Sequence, residues 1–238
     1  MFEVVFEVQP RSSHWETYLA TAGALRPILQ SQRGFLDNVR YKSLTRPGWV
    51  LSLSDWENEK ALIRWRTQSK HHQAQERGRA EILENYHLRV GEVEYEINSN
   101  EARPPQDMKP TRLDETETGT AKVVSLVKAK LKPLDSVDGK DTKDVNEVLR
   151  LLDFQPQLAN GLVSWDAFEA ILTPGDVLLL CSWADSTMTE QFAEHVATSA
   201  HQVRQVRIIR DYSMHDRAEA PQYYPEVKTT CTEKSLGA

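Results

Sequence analysis

Residues 44–56, LTRPGWVLSLSDW, return in the second half of the chain as residues 172–183, LTPGDVLLLCSW. The second copy lacks one residue and keeps Leu, Thr, Pro, Gly, Val, Leu, Leu and Trp in the same order, which is eight identities in twelve aligned positions. Self-similarity of this extent indicates a duplicated structural unit, and it has to be recognised before any local pattern is interpreted. The 238-residue chain is therefore interpreted as two related units.

The first copy shows an ordered series of periodicities. Residues 2–9 alternate as a strand does, and residues 13–31 place apolar side chains at helical spacing. Two further strands flank the Pro-Gly turn at residues 47–48, a second helix begins after Asn58, and a last strand covers residues 86–97. This order is βαββαβ, the ferredoxin-like unit, and the second copy shows the same order.

The arrangement predicts an α+β fold in which the two units cover each other. A four-stranded antiparallel sheet with both helices on one face leaves its other face open, and that face has to be buried. We therefore expect two ferredoxin-like domains packed sheet to sheet as an intramolecular dimeric α+β barrel, to which further homodimerisation can be added. The predicted boundaries are a first domain at 1–100, a linker at 101–120, a second domain with a shortened helix at 121–225, and a tail at 226–238.

Composition limits the classes of partner and compartment. The formal net charge is −6 and neither half is basic, so nucleic acid is not an expected partner. The chain has no long apolar run and no export signal, and Cys181 and Cys231 form neither a disulfide framework nor a metal motif. We expect a protein without membrane attachment in the reducing cytoplasm.

Residues 41–90, from YKSLTRPGWVLSLSDW to YHLRV, resemble the antibiotic biosynthesis monooxygenase family of dimeric α+β barrel proteins. In that family a strand ending in tryptophan precedes a helix that contains tryptophan and histidine. The resemblance covers residues 1–105 well and the second copy more weakly. It implies an oxidoreductase, either one that oxygenates polycyclic aromatic compounds without metal or flavin, or one that binds and degrades heme.

Trp65 and His72 form the centre of the predicted site. If residues 62–76 belong to one continuous helix, Trp65, Ser69 and His72 lie on one stripe, while His71 is rotated by about 100°. The functional interpretation is a pocket between helix and sheet, with Trp65 as an aromatic wall and His72 as the catalytic base. The alternative is that Trp65 fills the core and His72 is a polar residue at its edge.

The other predicted site residues supply charge and hydrogen bonds. Arg40 is assigned as the catalytic cation that holds an enolate oxygen, with Arg66 as an alternative. Because Trp56 recurs as Trp183, it is also expected to serve the core. The predicted substrate contacts are Trp56, Tyr41, Tyr86, Arg66 and Ser69.

The predicted function is a small monooxygenase that acts on an aromatic, phenolic or quinone-like compound with dioxygen and needs no tightly bound organic cofactor. The enzyme alternatives are a heme-binding or heme-degrading monooxygenase with His72 as axial ligand, and an oxygenase supplied with externally reduced flavin. A third alternative is a non-catalytic binding protein for an apolar ligand. The heme-degrading branch has an asparagine on the first strand, about where this chain has Glu7.

Metal and nucleotide sites are not expected. The adjacent histidines His71 and His72 point in different directions on a helix, and Glu76 is the one acidic residue at helical spacing from His72. No glycine-rich phosphate-binding motif occurs in the sequence.

Overall fold

The first half of the chain contains four long strands and three helices. The structure is a computed structural model that describes residues 1–99, 106–131 and 144–221. The elements of the first half are β1 (Phe2–Pro10), α1 (Trp15–Gln30), β2 (Phe35–Ser43), β3 (Val50–Trp56), α2 (Glu59–Arg66), α3 (Ser69–Arg77) and β4 (Leu83–Asn98).

In its described residues, the second half has the same order with one helix fewer. A two-residue strand, β5 (Gln106–Asp107), pairs with the end of β4. Between β8 and β9 only α5 is present, so α3 has no counterpart there, as the shorter second copy predicts. The elements are β6 (Val123–Lys130), α4 (Val145–Leu151), β7 (Leu162–Ala170), β8 (Asp176–Trp183), α5 (Thr189–Ala197) and β9 (Gln202–Ser213).

Eight antiparallel strands close into a barrel. Their order is β1-β3-β2-β7-β8-β6-β9-β4, and β4 pairs back onto β1. The halves are joined at two seams, a short one between β2 and β7 and a long one between β4 and β9. The predicted α+β fold, with two ferredoxin-like units packed sheet to sheet, is confirmed.

Alternation along the strands separates two apolar layers. On β1, Val5 points into the barrel and packs with residues of both halves, among them Leu53, Leu126 and Phe168. Phe2, on the other face of β1, packs under the helices of the first half. The barrel interior is therefore the shared core of the two units, and each unit has a second core beneath its helices.

The repeated sequence motif has a structural cause in each half. Its glycines, Gly48 and Gly175, have φ of 82° and 91°, a backbone conformation that residues other than glycine rarely adopt. Its tryptophans, Trp56 and Trp183, end β3 and β8 and are 0% and 2% exposed. The motif therefore specifies a tight turn, a buried strand and an anchor for the helix that follows.

A buried ion cluster ties the second half to the first inside the barrel. Arg204 of β9 donates from Nη1 to Glu3 Oε1 at 2.5 Å and to Asp55 Oδ2 at 2.6 Å, and from Nε to Glu96 Oε1 at 2.8 Å. Burial and the neighbouring Asp55 charge raise the pKa of Glu3 well above its usual range. Burial also opposes ionisation of Asp55, but Arg204 and then Lys128 hold the pKa of Asp55 below its usual value.

Glu3 and Asp55 therefore have different protonation preferences. Glu3 Oε2 has no hydrogen-bond partner among the described residues, and a proton on Glu3 can be shared with Asp55. Glu3 is thus the carboxyl group that stays protonated longer as the pH rises, while Asp55 carries the charge that balances Arg204.

The predicted single helix over residues 62–76 is wrong, because the helix is interrupted between α2 and α3. The Thr67 hydroxyl donates to the carbonyl oxygen of Ile63 at 3.0 Å, and Gln68 has extended backbone with ψ of 128°. The Gln68 side chain accepts from the backbone N–H of His71 at 2.8 Å and so starts a new helix. After α3 a π-turn, Gly78–Ile82, leads into β4.

The segment predicted as a linker is attached to the barrel where it is described. The Thr111 backbone N–H and hydroxyl both donate to the buried Glu92 carboxylate, at 2.9 and 2.6 Å, and Thr116 donates to Glu219. Residues 101–105 and the predicted tail with Cys231 lie outside the described residues, and the domain boundaries stay predictions. Cys181 is a free, buried thiol, and no helix of the described ranges is long and apolar enough to span a membrane.

We expect Glu3→Gln and Asp55→Asn to have opposite effects on stability. Because the Glu3 pKa is higher in the folded protein than in the unfolded chain, the wild type loses stability as the pH rises through the raised pKa. Glu3→Gln removes that loss, so the variant gains stability relative to the wild type between pH 5 and pH 8. Asp55→Asn leaves Arg204 short of a buried partner and should cost about 3–5 kcal/mol.

Urea denaturation at pH 5 and pH 8 measures both effects. If Glu3→Gln lost as much stability at pH 8 as Asp55→Asn, Glu3 would have to be the ionised partner of Arg204, and the assignment of the proton would be reversed.

Candidate functional site

A cavity of about 390 Å³ lies between the helices of the first half and the outer face of its sheet. Its floor includes Val4, Phe6, Leu88 and Val90, which alternate outward on β1 and β4. The helices above it contribute apolar side chains that include Ala22, Leu25, Leu29, Leu62 and Trp65. Its size and its largely apolar lining are typical of a site for a small organic molecule.

The helix break places His71, and not His72, against Trp65. The two rings are stacked with centroids 4.1 Å apart and planes inclined by 12°. His71 Nδ1 lies 2.9 Å from the carbonyl oxygen of Trp65, which can only accept, so Nδ1 carries the proton. Nε2 is then the basic nitrogen, and the Gln75 amide contacts it at a long 3.4 Å.

His71 is held in its neutral form. Burial lowers its pKa to about 4, against a raising contribution from the Trp65 carbonyl and with a smaller lowering contribution from His72. At neutral pH the cavity therefore contains an imidazole with one fixed N–H and, at Nε2, a lone pair that the Gln75 amide contacts at 3.4 Å. Such a ring can accept a hydrogen bond or a proton from a bound molecule.

The predicted proximity of Trp65, Ser69 and His72 is wrong. Ser69 begins α3 and is exposed, and His72 lies outside the cavity lining with its side chain 41% exposed. His72 Nε2 is 3.4 Å from Glu76 Oε1 on the same helix, the spacing expected of residues one turn apart. The interruption between α2 and α3 rotates α3 relative to α2. The side chains of α3 therefore do not continue the stripe that one uninterrupted helix would form.

Besides Ser69, two more predicted substrate contacts lie away from the cavity. Trp56 is fully buried, packs edge-on against Phe35 and stacks with Trp65 at 6.4 Å, so it supports the wall without lining the space. Tyr41 points into the barrel, where burial and then the charge of Asp55 raise its pKa. Adjacent residues on a strand face opposite sides, so Tyr41 and Arg40 cannot serve one pocket.

Arg40 lies on the cavity side of the sheet, as its predicted role requires. Its Nε is buried and has no hydrogen-bond partner among the described residues. It interacts with Tyr18 of α1, where burial raises the phenol pKa and the Arg40 charge opposes that rise. Asn38 and Ser52 are beside it, and the Asn38 amide donates to the Ser52 hydroxyl at 3.0 Å. Arg66 also lines the cavity.

Tyr86 closes the opposite side of the floor together with two arginines that the sequence analysis did not select. The π-turn after α3 carries Arg79, whose Nη1 donates to the Tyr86 hydroxyl at 2.7 Å and to the Met214 carbonyl at 3.1 Å. Arg217, from the chain that follows β9, donates to the same hydroxyl. π-Turns are frequent at functional sites, but their position cannot be seen in a hydrophobic pattern.

The residues predicted for the heme alternative, His72 and the first-strand position of Glu7, do not line the cavity. The predicted axial ligand His72 is outside it, and the β1 side chains on the floor are Val4 and Phe6. Glu7 points into the barrel, 5% exposed, where it binds Arg89 at 2.6 Å and Arg46 at 2.5 Å. Within the described residues no group of three His, Cys, Asp or Glu side chains is placed to hold a metal ion. The prediction of His72 as an axial ligand is therefore wrong, and heme binding itself stays a prediction.

The protein is thus a closed α+β barrel with a cavity under the helices of one half, and its sequence is similar to those of known proteins. Residues 1–77 match the family model for antibiotic biosynthesis monooxygenases. The chain is 43% identical over 226 residues to the jasmonate monooxygenase ABM of Pyricularia oryzae, covering 94% of this chain and 99% of that protein. The chain therefore belongs to the antibiotic biosynthesis monooxygenase family, and it is an oxidoreductase of the monooxygenase class.

Solved structures show more distant similarity. A proposed monooxygenase from Lactobacillus acidophilus NCFM is 10% identical with a TM-score of 0.38, over 88% of this chain and 94% of that one. An anthrone oxidase-like protein is 12% identical with a TM-score of 0.34, over 93% of this chain and 96% of that one. Similarity at this level supports no conclusion about the reaction.

We expect His71 to remain neutral down to about pH 4. Its folded pKa lies below its unfolded value, so this group supports stability fully above pH 6.5, and that support is lost as the pH falls toward 4. An NMR titration of imidazole carbon and nitrogen shifts, assigned with a His71→Gln variant, should show an Nδ1–H tautomer without a midpoint above pH 5. A His71 midpoint near 6.5 would contradict the buried, stacked geometry.

Proposed function

We propose that this monooxygenase acts on a small, largely apolar compound that carries a negative charge, and that the reaction takes place in the cavity of the first half. The observation that supports this proposal is the charge of the lining. Of the described residues that line the cavity, Glu59 is the one acidic side chain. Six are arginines, namely Arg26, Arg40, Arg66, Arg79, Arg210 and Arg217.

Glu59 is engaged outside the cavity lining. The Glu59 carboxylate is already bound by Arg112, outside the cavity lining. Arg210 has a partial partner in Asp114 at 3.4 Å. An apolar floor below several cations attracts an anion with a hydrocarbon body, because the ring of charge steers the anion and the floor buries its apolar part. Jasmonate, on which the named Pyricularia relative acts, has this chemistry.

His71 and Arg40 are the proposed reacting groups. His71 Nε2 accepts a proton from a carbon next to a carbonyl group, while the Arg40 guanidinium stabilises the enolate oxygen. The pKa of about 4 keeps His71 neutral while the cavity is empty. A bound anion raises the pKa of His71, because a nearby negative charge favours the imidazolium. Substrate binding thus activates the base in the proposed mechanism.

The electrons for oxygen reduction depend on the product. When a CH₂ group becomes a carbonyl group, the substrate supplies all four electrons, and one O₂ gives the new C=O oxygen and one water. When a C–H bond becomes C–OH, two further electrons and two protons are needed, and an externally reduced flavin would supply the electrons. The prediction that no tightly bound organic cofactor is required applies to the reaction in which a CH₂ group becomes a carbonyl group.

An aromatic, phenolic or quinone-like substrate is the second candidate. The stacked pair of Trp65 and His71 supports it, since flat rings pack well on such a surface. A phenolate would also use the arginine-rich lining, so both candidates share the anionic character of the bound state. A non-catalytic carrier would need the same lining without any role for His71 as a base.

We expect His71→Ala to abolish turnover and His72→Ala to leave it nearly unchanged. Oxygen uptake and product formation should be measured with jasmonate and with an anthrone, each with and without reduced flavin. Removing a general base typically costs about 10²–10⁴-fold in rate. His72→Ala is the matched control, because it removes the same side chain from the adjacent, cavity-external position.

Ligand binding measured by intrinsic tryptophan fluorescence distinguishes an enzyme from a non-catalytic carrier. A wild type that binds either compound but consumes no oxygen under any of these conditions would be a carrier. Equal losses of turnover in His71→Ala and His72→Ala would contradict the assignment of the base.

A further inference from the structure

We infer that Arg79, Arg217 and Tyr86 form a carboxylate subsite at the end of the cavity where β4 meets the chain after β9. This inference rests on the proposed function, since it names how the anionic substrate is recognised. Arg79 and Tyr86 are 6% and 5% exposed, so the subsite is built into the wall and is not a surface feature.

The hydroxyl of Tyr86 is used in an unusual way. It accepts from Arg79 Nη1 at 2.7 Å and from Arg217 Nη1, so both of its lone pairs are occupied by guanidinium groups. Its own proton has no acceptor among the described residues. A phenol between two cations therefore presents an O–H donor that requires an acceptor, and an anionic oxygen satisfies that requirement best.

Both arginines are held in position by further contacts. Arg79 also donates to the Met214 carbonyl at 3.1 Å, and the Arg217 guanidinium lies 5.4 Å from the centre of the Tyr212 ring. Positioning a cation on an aromatic face and a backbone carbonyl reduces the entropy lost when a ligand binds. The subsite is thus ordered before the ligand arrives.

The two halves build this end of the cavity together. Arg79 and Tyr86 belong to the first half, whereas Arg217 and Tyr212 follow from the second half and line the same space. The cavity is therefore incomplete without the second half, although its helices and most of its floor come from the first.

The subsite is separated from Arg40 by Ser52, which lies opposite Arg40, and then by apolar side chains. Arg40 is on β2 and Tyr86 on β4, with β3 and β1 between them, so three strand spacings give about 14 Å across the sheet. Phe6 and Leu88 lie between the two ends. A ligand that fits is an apolar body with a carboxylate at one end, which leaves the Arg40 end for the reacting carbonyl group.

Paired affinities for an acid and its methyl ester test the subsite. Dissociation constants for jasmonate and methyl jasmonate should be measured by tryptophan fluorescence in the wild type, Arg217→Gln, Tyr86→Phe and Arg33→Gln. We expect Arg217→Gln and Tyr86→Phe to weaken jasmonate binding by about tenfold or more and ester binding by less than about threefold. Arg33→Gln, which removes an exposed arginine outside the cavity lining, should change both affinities by less than about threefold.

The ester is also the internal control for folding, because retained ester affinity shows an intact cavity. Equal wild-type affinity for acid and ester, or equal losses of both in Arg217→Gln, would overturn the subsite. If neither jasmonate compound binds, octanoate and methyl octanoate serve as the probes: an octanoate preference that disappears in Arg217→Gln supports the subsite while the jasmonate assignment fails, and no preference overturns it. Turnover lost in His71→Ala is measured separately, so the two proposals fail independently.

Discussion

The burial of two open sheet faces against each other is the constraint on which the rest of the structure depends. Each half has its helices on one side of its sheet, so side chains such as Val5 and Leu126 on the opposite face would meet water in a separated half. Closing the barrel buries both faces at once. Because apolar side chains and the Arg204 ion cluster fill the interior, a ligand cavity forms between the helices and the outer wall.

Duplication then allowed the halves to differ without losing the barrel. The first half has a broken helix pair and a π-turn between β3 and β4, whereas the second has only α5 at the corresponding place. The break at Thr67 and Gln68 turns α3 so that His71 covers Trp65. The second half buries the open sheet face and contributes Arg217 to the first half's cavity. One half thus carries most of the site, and the other half completes it.

The fold could be predicted from the sequence because strands, turns and the repeat are recorded in local patterns. The site could be predicted only in part. Trp65 and Arg40 reach the cavity, but His71 replaces His72, because side-chain hydrogen bonds of Thr67 and Gln68 ended a helix that periodicity alone extends. Strand alternation in the sequence already implies that Tyr41 and Arg40 face opposite sides of the sheet, although both were assigned to one site. Arg217 had no local signal, since its position depends on a contact across the two halves.

A crystal structure of the protein with bound jasmonate would show whether the reaction takes place in the cavity of the first half. We expect ligand density between the Trp65–His71 pair and the floor at Phe6, with the His71 Nε2 side facing the ligand and the anionic group near an arginine of the lining. Density inside the barrel, or in the second half with the first-half cavity empty, would contradict it.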